Sequence, residues 1–403
     1  MYRPLPLDAL ALNQPVPVNI WDAQGVLLLR KGETIHSEQH RGHLMLHTPM
    51  VLAADWQALN WGYTATLDRL VRDNAPLARI AGVRELAVAA ATPDTAELPD
   101  VPPAERWADL HAALHAWLHR PVEAASPERL DRLERIADAV TDASERAFDT
   151  ALLVLVQRLF DPVLPYSASH ALLCGLLCDH VGRAAKLPPA ELHAVVRAAL
   201  TMNMGMARLH DELARQSAPP TTAQRAQIRE HPVRSVSLLR GLGVREDRWL
   251  DLVATHHEHR DGIGYPRGER VDSPALRLLR MADVYTACIS PREGRGGLQS
   301  QQVARELYTG AATDPLTPLF IKAVGLYPPG SYVRLAGGER GVVVRRGAKA
   351  NAPKVLVLVG RQGLPLGEPA LRDTADASWA VAAALAPGEV KVRPPLEYLL
   401  ARR

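Results

Sequence analysis

Between residues 256 and 266 the chain reads His256-His257-Glu258-His259-Arg260-Asp261-Gly262-Ile263-Gly264-Tyr265-Pro266, so three histidines, two carboxylates and a Gly-Tyr-Pro turn share eleven residues. Neither a packed core nor an ordinary surface needs that density. Two adjacent histidines at a helix end reach one centre together, and imidazole with carboxylate suits first-row divalent metals such as Mn, Fe and Zn. The glycines beside Ile263 let backbone approach a ligand closely. The run is read as a metal-and-phosphate site presented by helices.

The rest of the chain gives that site a setting. Val16 to Trp21, a turn at Asp22-Ala23-Gln24-Gly25, Val26 to Leu29 and a turn at Lys31-Gly32 predict a small β-containing module over residues 1–60. Residues 61–104 form a mixed segment ending in a linker, with four prolines between Ala91 and Ala104. A helical connector is expected over 105–160: Ser126-Pro127 resembles an N-cap followed by proline at the first helical position, and Leu130, Leu133, Ala137, Val140 and Ala147 continue an apolar stripe. Such a helix suits a dimer or relay role as well as packing on its own domain. From Tyr327-Pro328-Pro329-Gly330 onward, Tyr332 to Leu335, Gly341 to Val344 and Val355 to Val359 alternate with glycine-rich turns, a β-rich module over 327–403.

Composition narrows the partners. With 47 basic and 44 acidic residues the net charge is +3, and no basic cluster interleaved with aromatics points to a nucleic-acid polymer. The three cysteines, Cys174, Cys178 and Cys288, lack framework spacing and suit reduced thiols. Cys174 and Cys178, one helical turn apart in an apolar run, read as small buried hydrophobes. No segment reaches the roughly 18 apolar residues of a membrane span, and no amino-terminal stretch has the pattern of a secretory leader. A cytoplasmic protein is expected.

The run at 256–266 resembles the signature HHExxDGxGYP of the HD-GYP family, bacterial phosphodiesterases of cyclic di-GMP built on the helical HD metal-hydrolase fold. Met281-Ala282-Asp283-Val284-Tyr285 and Ser290-Pro291-Arg292 are similar to its AD-x-[FY] and SxR elements, and Glu230-His231-Pro232 to its HP element. The resemblance implies a mainly α protein, with an HD-type helical domain at 161–326 between the two small β-rich modules.

It also exposes a departure. Where the family carries AALLHDIGK, this chain has Ala198-Ala199-Leu200-Thr201-Met202-Asn203-Met204-Gly205-Met206. Met202 and Asn203 stand for the His-Asp pair, and Met206 for the lysine. A thioether is a soft donor, ill-matched to an oxygen and nitrogen site. Asn203, at the bridging position, keeps the shape of aspartate without the charge that helps hold two dications about 3.5 to 4 Å apart. His210-Asp211, eight residues beyond Met202, is set aside as a replacement. On a continuous helix eight residues advance about 12 Å, so the pair is read as solvated charge, unless the helix breaks at Gly205.

The remaining family positions carry over one by one. His170 matches the early histidine ligand, with Tyr166 where trinuclear members place a glutamate, which argues against a third metal. His231, His256 and His257 match the ligands of one core metal, and Asp283 with His170 what is left of the other. Arg292 and Arg295 match the basic pair on the ligand phosphates. Asp261 orients the turn completed by Gly264, Tyr265 and Pro266. Against this stand plainer readings: His170 as a hydrogen-bonded core histidine, Glu258 and His259 as supporting or solvent-facing groups, and His193, His36, His40, His43 and His47 as surface positions.

No residue is assigned as catalytic. The expectation is a cyclic di-GMP signalling protein with a degenerate centre and weak or absent phosphodiesterase activity, holding one divalent metal (Mn, Fe or Zn) or none. Its rivals are a mononuclear phosphodiesterase on cyclic di-GMP or another phosphoester, and a scaffold for diguanylate cyclase (GGDEF) domains. A homodimer is compatible with either.

Overall fold

The computed structural model describes residues 2–5, 12–13, 16, 18–22, 27–47, 49–52, 102–122, 124–292, 297–310 and 314–402. They fall into two units, Met1–Pro99 and Asp100–Arg403.

In the first unit β1 (Tyr2–Pro4), β2 (Ile20–Trp21), β3 (Leu27–Leu29) and β4 (Met50–Leu52) form an antiparallel sheet of order β1-β4-β2-β3. Val16, Val18, Ile20, Ile35 and Val51 are its core. Helix α1 (Glu38–Met45) is N-capped by Ser37, whose hydroxyl accepts the His40 N–H. His36, His43 and His47 are exposed and His40 half-buried, as expected of surface positions. Most of the proline-rich linker lies outside the described residues, but Pro103 and Ala104 already belong to the next helix.

The second unit is built on helices. α2 (Pro103–His119) starts on proline and buries Trp107, His111, Leu114 and Trp117 along one face. α3 (Pro127–Leu159) also starts on proline, and Arg129 near its start is buried, donating to the carbonyls of Trp117, Arg120 and Pro121 that close α2. Of the expected stripe, Leu133, Ala137 and Val140 are buried, with Ile136 beside them, and Leu130 is half-buried, but the stripe does not continue through Ala147. There the backbone leaves helical values (φ −149°, ψ 41°), Ala147 is exposed, and Phe148 takes the inward position.

Beyond that kink Ala151 to Val156 are buried on every side, which fits a helix passing through a core rather than lying on it. α4 (Tyr166–Ala184) is the central helix, buried over most of its length among α2, α3, α5 (Pro189–Thr201) and α9 (Pro274–Ile289). Cys174 and Cys178 lie within it, wholly buried. A 3-10 turn at Met204–Met206 leads to α6 (Ala207–Ala214), followed by α7 (Thr222–Leu242), α8 (Asp247–Thr255), α10 (Ser300–Gly310) and α11 (Leu316–Val324). None of the described helices is long and apolar enough to cross a membrane.

The carboxyl end is an antiparallel sheet of β5 (Tyr332–Leu335), β6 (Arg340–Arg345), β7 (Lys354–Val359), β8 (Pro365–Asp373) and β9 (Val381–Leu385), in the order β8-β7-β6-β5-β9, with a last short helix α12 (Leu396–Ala401). Its unbroken valine runs are explained by burial of both faces. Val342, Val344, Leu356 and Leu358 join the helical core, while Val333, Val343, Val355 and Val357 form a separate cluster on the other face. The protein is thus mainly α, an HD-type helical body with a small antiparallel sheet at each end of the chain.

Candidate metal centre

Proline sets the first ligand. Pro232 inside α7 has no N–H to give to the carbonyl four residues back, which leaves Ile228 without its helical partner. His231 Nδ1 takes that carbonyl at 2.6 Å. A carbonyl only accepts, so Nδ1 carries the proton and Nε2 presents a lone pair. The same device recurs at the end of α8. His256, its C-cap residue, donates Nδ1–H to the terminal carbonyl of Val253 at 2.8 Å, fixing the same tautomer.

The two Nε2 atoms then face each other at 3.0 Å. Two lone pairs that close repel unless a cation lies between them, so the donor set fits a metal ion better than it fits a hydrogen bond. His257 completes it, with donor atoms of all three residues within 4.8 Å of one another. Burial holds these imidazoles neutral, His231 down to about 4 and His256 and His257 well below the usual histidine range. Neutral imidazole is the metal-binding form.

The loop after α8 folds back over this trio. Tyr265 N–H donates to the His257 carbonyl at 3.1 Å and its ring stacks on His257 with centroids 4.4 Å apart. Gly264 allows the approach, because a Cβ there would stand 2.4 Å from the His257 carbonyl oxygen. Glu258, 1% exposed, is no solvent-facing group: its carboxylate accepts the N–H of Arg267 and of Glu269 and ties down the far side of the loop. Asp261 is exposed and accepts the Ile263 N–H at 3.1 Å, which shapes the turn before Tyr265 and Pro266.

The other half of the centre is differently composed. His170 on α4 lies 3.4 Å from Asp283 on α9, and Cys174, one turn along, brings its sulfur within 3.6 Å of His170 Nδ1. The three form a second group of donor atoms; Cys174 is buried in the apolar core as expected of a small hydrophobe, and its spacing of four from His170 brings its sulfur beside that ring. Burial raises the Asp283 carboxyl to about 6, although a hydrogen bond from the Asn203 side chain and the charges of Arg292 and Arg280 pull it down. Burial lowers His170 to about 3, with Arg292 adding to the effect. Asn203 thus sets a neutral amide beside Asp283, and its own Oδ1 is buried without a partner.

Met202 is wholly buried in the apolar core. Arg292 stacks on Tyr166 and reaches its hydroxyl at 3.4 Å. Arg295 lies outside the described residues.

One sequence expectation is corrected here. The helix does not run on through Gly205: α5 ends at Thr201, and the 3-10 turn redirects the chain before α6. His210 thereby comes back to the centre, buried, its ring 5.1 Å from His170 and 4.6 Å from Tyr166. Its Nδ1 is buried without a partner. Asp211 is no solvated charge either; it points the other way, accepting from Ser167 and from His119. The 12 Å argument failed because it assumed one straight helix.

Two cavities flank the centre. One of about 680 Å³ is walled by Tyr166, Arg158, Arg215 and Arg292 on the helical side and by Arg393 near the carboxyl end, with Asp161, Asp211 and Glu389 among these arginines. The other, about 410 Å³, lies behind the Glu258–Asp261 loop and is lined by Arg277, Arg280 and Met281.

Residues 155–315 match the HD domain family. The chain is distantly homologous to cyclic dinucleotide phosphodiesterases. It is 29% identical over 220 residues to Cyclic di-GMP phosphodiesterase PA4108 of Pseudomonas aeruginosa, covering 53% of each chain. It is 23% identical to 3'3'-cGAMP-specific phosphodiesterases 3 and 1 of Vibrio cholerae, over 38% of this chain and 33% and 36% of theirs. The matches thus span between a third and about half of the relatives' lengths. The solved structure of Bd1817, an HDG"Y"P protein from Bdellovibrio bacteriovorus, aligns over 79% of this chain and 97% of its own with TM-score 0.44 and 14% identity, too loose a likeness to assign a role to any residue.

Proposed function

We propose that this chain is a cyclic-dinucleotide signalling protein of the HD-GYP type, with a half-depleted metal centre that holds one divalent ion and hydrolyses its ligand weakly or not at all. The observation that carries the reading is the contrast between the two halves. On one side two neutral imidazoles aim lone pairs at a common point. On the other, the neutral amide of Asn203 lies beside Asp283 where an anionic oxygen would join two dications.

His231, His256 and His257 are the metal ligands in this reading, with His170 and Asp283 as remnants of a second site. Held by these three histidines, a divalent ion would supply Lewis-acid chemistry, activating water and polarising a phosphoryl oxygen. Without a partner ion, in-line displacement lacks one half of its charge stabilisation. Ligand recognition has fared better. Arg292 stands at the wall of the larger cavity, its guanidinium suited to a phosphodiester, and Asp261, Gly264, Tyr265 and Pro266 keep the turn over His257. Arg295 is assigned beside Arg292 by its place in the sequence. The kinship with proteins named for cyclic di-GMP and 3'3'-cGAMP supports that ligand class.

The test is metal analysis, cyclic di-GMP calorimetry and turnover on one preparation of the full chain, beside His256→Ala and His257→Ala. Expected are one equivalent of Mn, Fe or Zn that both variants lose, measurable nucleotide binding, and turnover far below that of an intact relative. Two equivalents lost with the histidines, together with full turnover, would overturn the reading. Binding of GGDEF domains without nucleotide binding would transfer it to the scaffold class.

A further inference from the structure

α2 places His111, His115 and His119 four residues apart, so their rings share one face of the helix. His111 is consumed by the Pro165 carbonyl and the Ser169 hydroxyl, at 3.1 and 3.0 Å. The other two turn toward Asp211 of α6. His119 Nε2 lies 2.9 Å and His115 Nε2 3.8 Å from the same oxygen, Oδ2, and the two rings are 4.1 Å apart.

These groups are held in place by what surrounds them. His119 Nδ1 is 3.0 Å from the His115 carbonyl, which can only accept, so Nδ1 carries a proton, and Nε2, 2.9 Å from Asp211 Oδ2, holds either a second proton, as in an ion pair, or a metal ion in its place. The Asp211 carboxylate is pinned by the Ser167 N–H at 2.7 Å and the Ser167 hydroxyl at 3.1 Å. The three donor atoms lie within 4.8 Å of one another.

We propose that His115, His119 and Asp211 form a metal site separate from the histidine trio, for a nitrogen-preferring divalent ion of the zinc class. Tetrahedral coordination at about 2.0 to 2.1 Å sets donors roughly 3.4 Å apart, a spacing that the 2.9 and 3.8 Å separations bracket. Histidines at i and i+4 on a helix face are a known way to grip zinc, and two imidazoles with one carboxylate exclude magnesium and calcium as preferred occupants. Arg208 and Arg215 lie near enough to oppose a dication, and the Asp211 charge offsets them. The ion would clamp α2, which precedes the HD-matching segment, onto α6 and, through Ser167, onto the start of α4. Asp211 adjoins His210, so the clamp bears on the ring that packs against His170.

The proposal does not depend on the functional reading above, and its test keeps the two apart. Full-length protein is titrated with Zn2+ and with Co2+ alone, as wild type, as His115→Ala, as His119→Ala, and as His256→Ala combined with His257→Ala. The wild type is expected to gain roughly 5 °C in Tm with saturating Zn2+. The His115 and His119 variants should each lose one equivalent and weaken that binding more than about 10-fold, while the trio variant keeps the equivalent and its Co2+ absorption. His115 is the more exposed of the pair, so its replacement leaves helix packing intact, and an unchanged far-UV spectrum checks this. Unaltered zinc stoichiometry in His115→Ala, or no binding in the trio variant, overturns the site and leaves a plain His119–Asp211 ion pair.

Discussion

Asn203 differs from aspartate by a charge, and its surroundings have adjusted to the loss. Its amide lies beside Asp283, whose carboxyl burial already lifts to about 6. Asn203→Asp would set a second carboxylate against the first, and like charges in one site resist joint ionisation. In metal-free protein at pH 8 the variant is expected to lose roughly 2 kcal/mol of stability. Saturating Mn2+ should restore it by binding the folded form alone. Urea melts with and without Mn2+ check this; equal stability in both conditions would mean that the pocket no longer accepts an ion. The sequence made Asn203 visible as a missing charge. What it could not display is where the amide turned, since Asp283 is 80 positions away and only the packing of α9 brings it near.

At the scale of elements the decisive device is the break between α5 and α6. Asn203 (φ −96°, ψ 6°) and Met206 (φ −128°, ψ 19°) leave helical values, and Gly205 between them presses on α7. A Cβ at Gly205 would meet the His231 carbonyl at 2.7 Å and the Ser235 nitrogen at 2.8 Å. Ser235 fastens the same turn, donating its hydroxyl to the Met202 carbonyl at 2.7 Å and accepting the Gly205 N–H at 2.9 Å. Gly205→Ala is expected to cost about 3 kcal/mol by overpacking, and Ser235→Ala about 1.5 kcal/mol through the lost bonds. Because the displaced backbone carries His231, metal affinity should fall further in Gly205→Ala than in Ser235→Ala. Denaturant curves paired with zinc titration would show it; equal affinity in both variants would uncouple the turn from the centre. The apolar stripe of α3 was legible up to the kink at Ala147 because a helix face answers to a core. The break was not, since Met-Asn-Met-Gly-Met holds no proline and only contact with α7 decides against continuation. The four-residue spacing of the α2 histidines drew no reading from the sequence, because its meaning depends on Asp211, nearly a hundred residues later.

On the scale of the whole second unit, half-buried His180 joins the helical body to the carboxyl-terminal sheet, and with the buried histidines of the body, His111 and those of the metal centre, it contributes to the acid limit. His180 on α4 stacks on Phe148 at 3.5 Å and meets Arg346, just beyond β6, at 3.1 Å, while Arg346 also holds Asp149 of α3. Tyr332 and Gly330 bond Gln157 on the same helix. Burial, with Arg346 adding to it, lowers His180 to about 4; burial, with Arg158 adding, lowers His111 to about 4 as well. In the unfolded chain both titrate near about 6.5. Between those values the unfolded state binds more protons, so stability rises with pH across the window: it is complete above about 6.5 and is lost as pH falls toward 4. His111, almost wholly buried, accounts for about 3 kcal/mol by pH 4, and half-buried His180 for less. Asp283, raised to about 6, acts with the opposite sign and offsets part of the loss. Protonated His180 would also face the Arg346 guanidinium, so the sheet should loosen before the helices do. Urea unfolding at pH 7.5, 6 and 5, followed by helix signal and by tryptophan emission, is expected to show falling stability and, at pH 5, separation of the two probes. His180→Gln should flatten the slope and rejoin the transitions. An unchanged slope in that variant would place the acid sensitivity elsewhere than at the joint between α4 and the sheet.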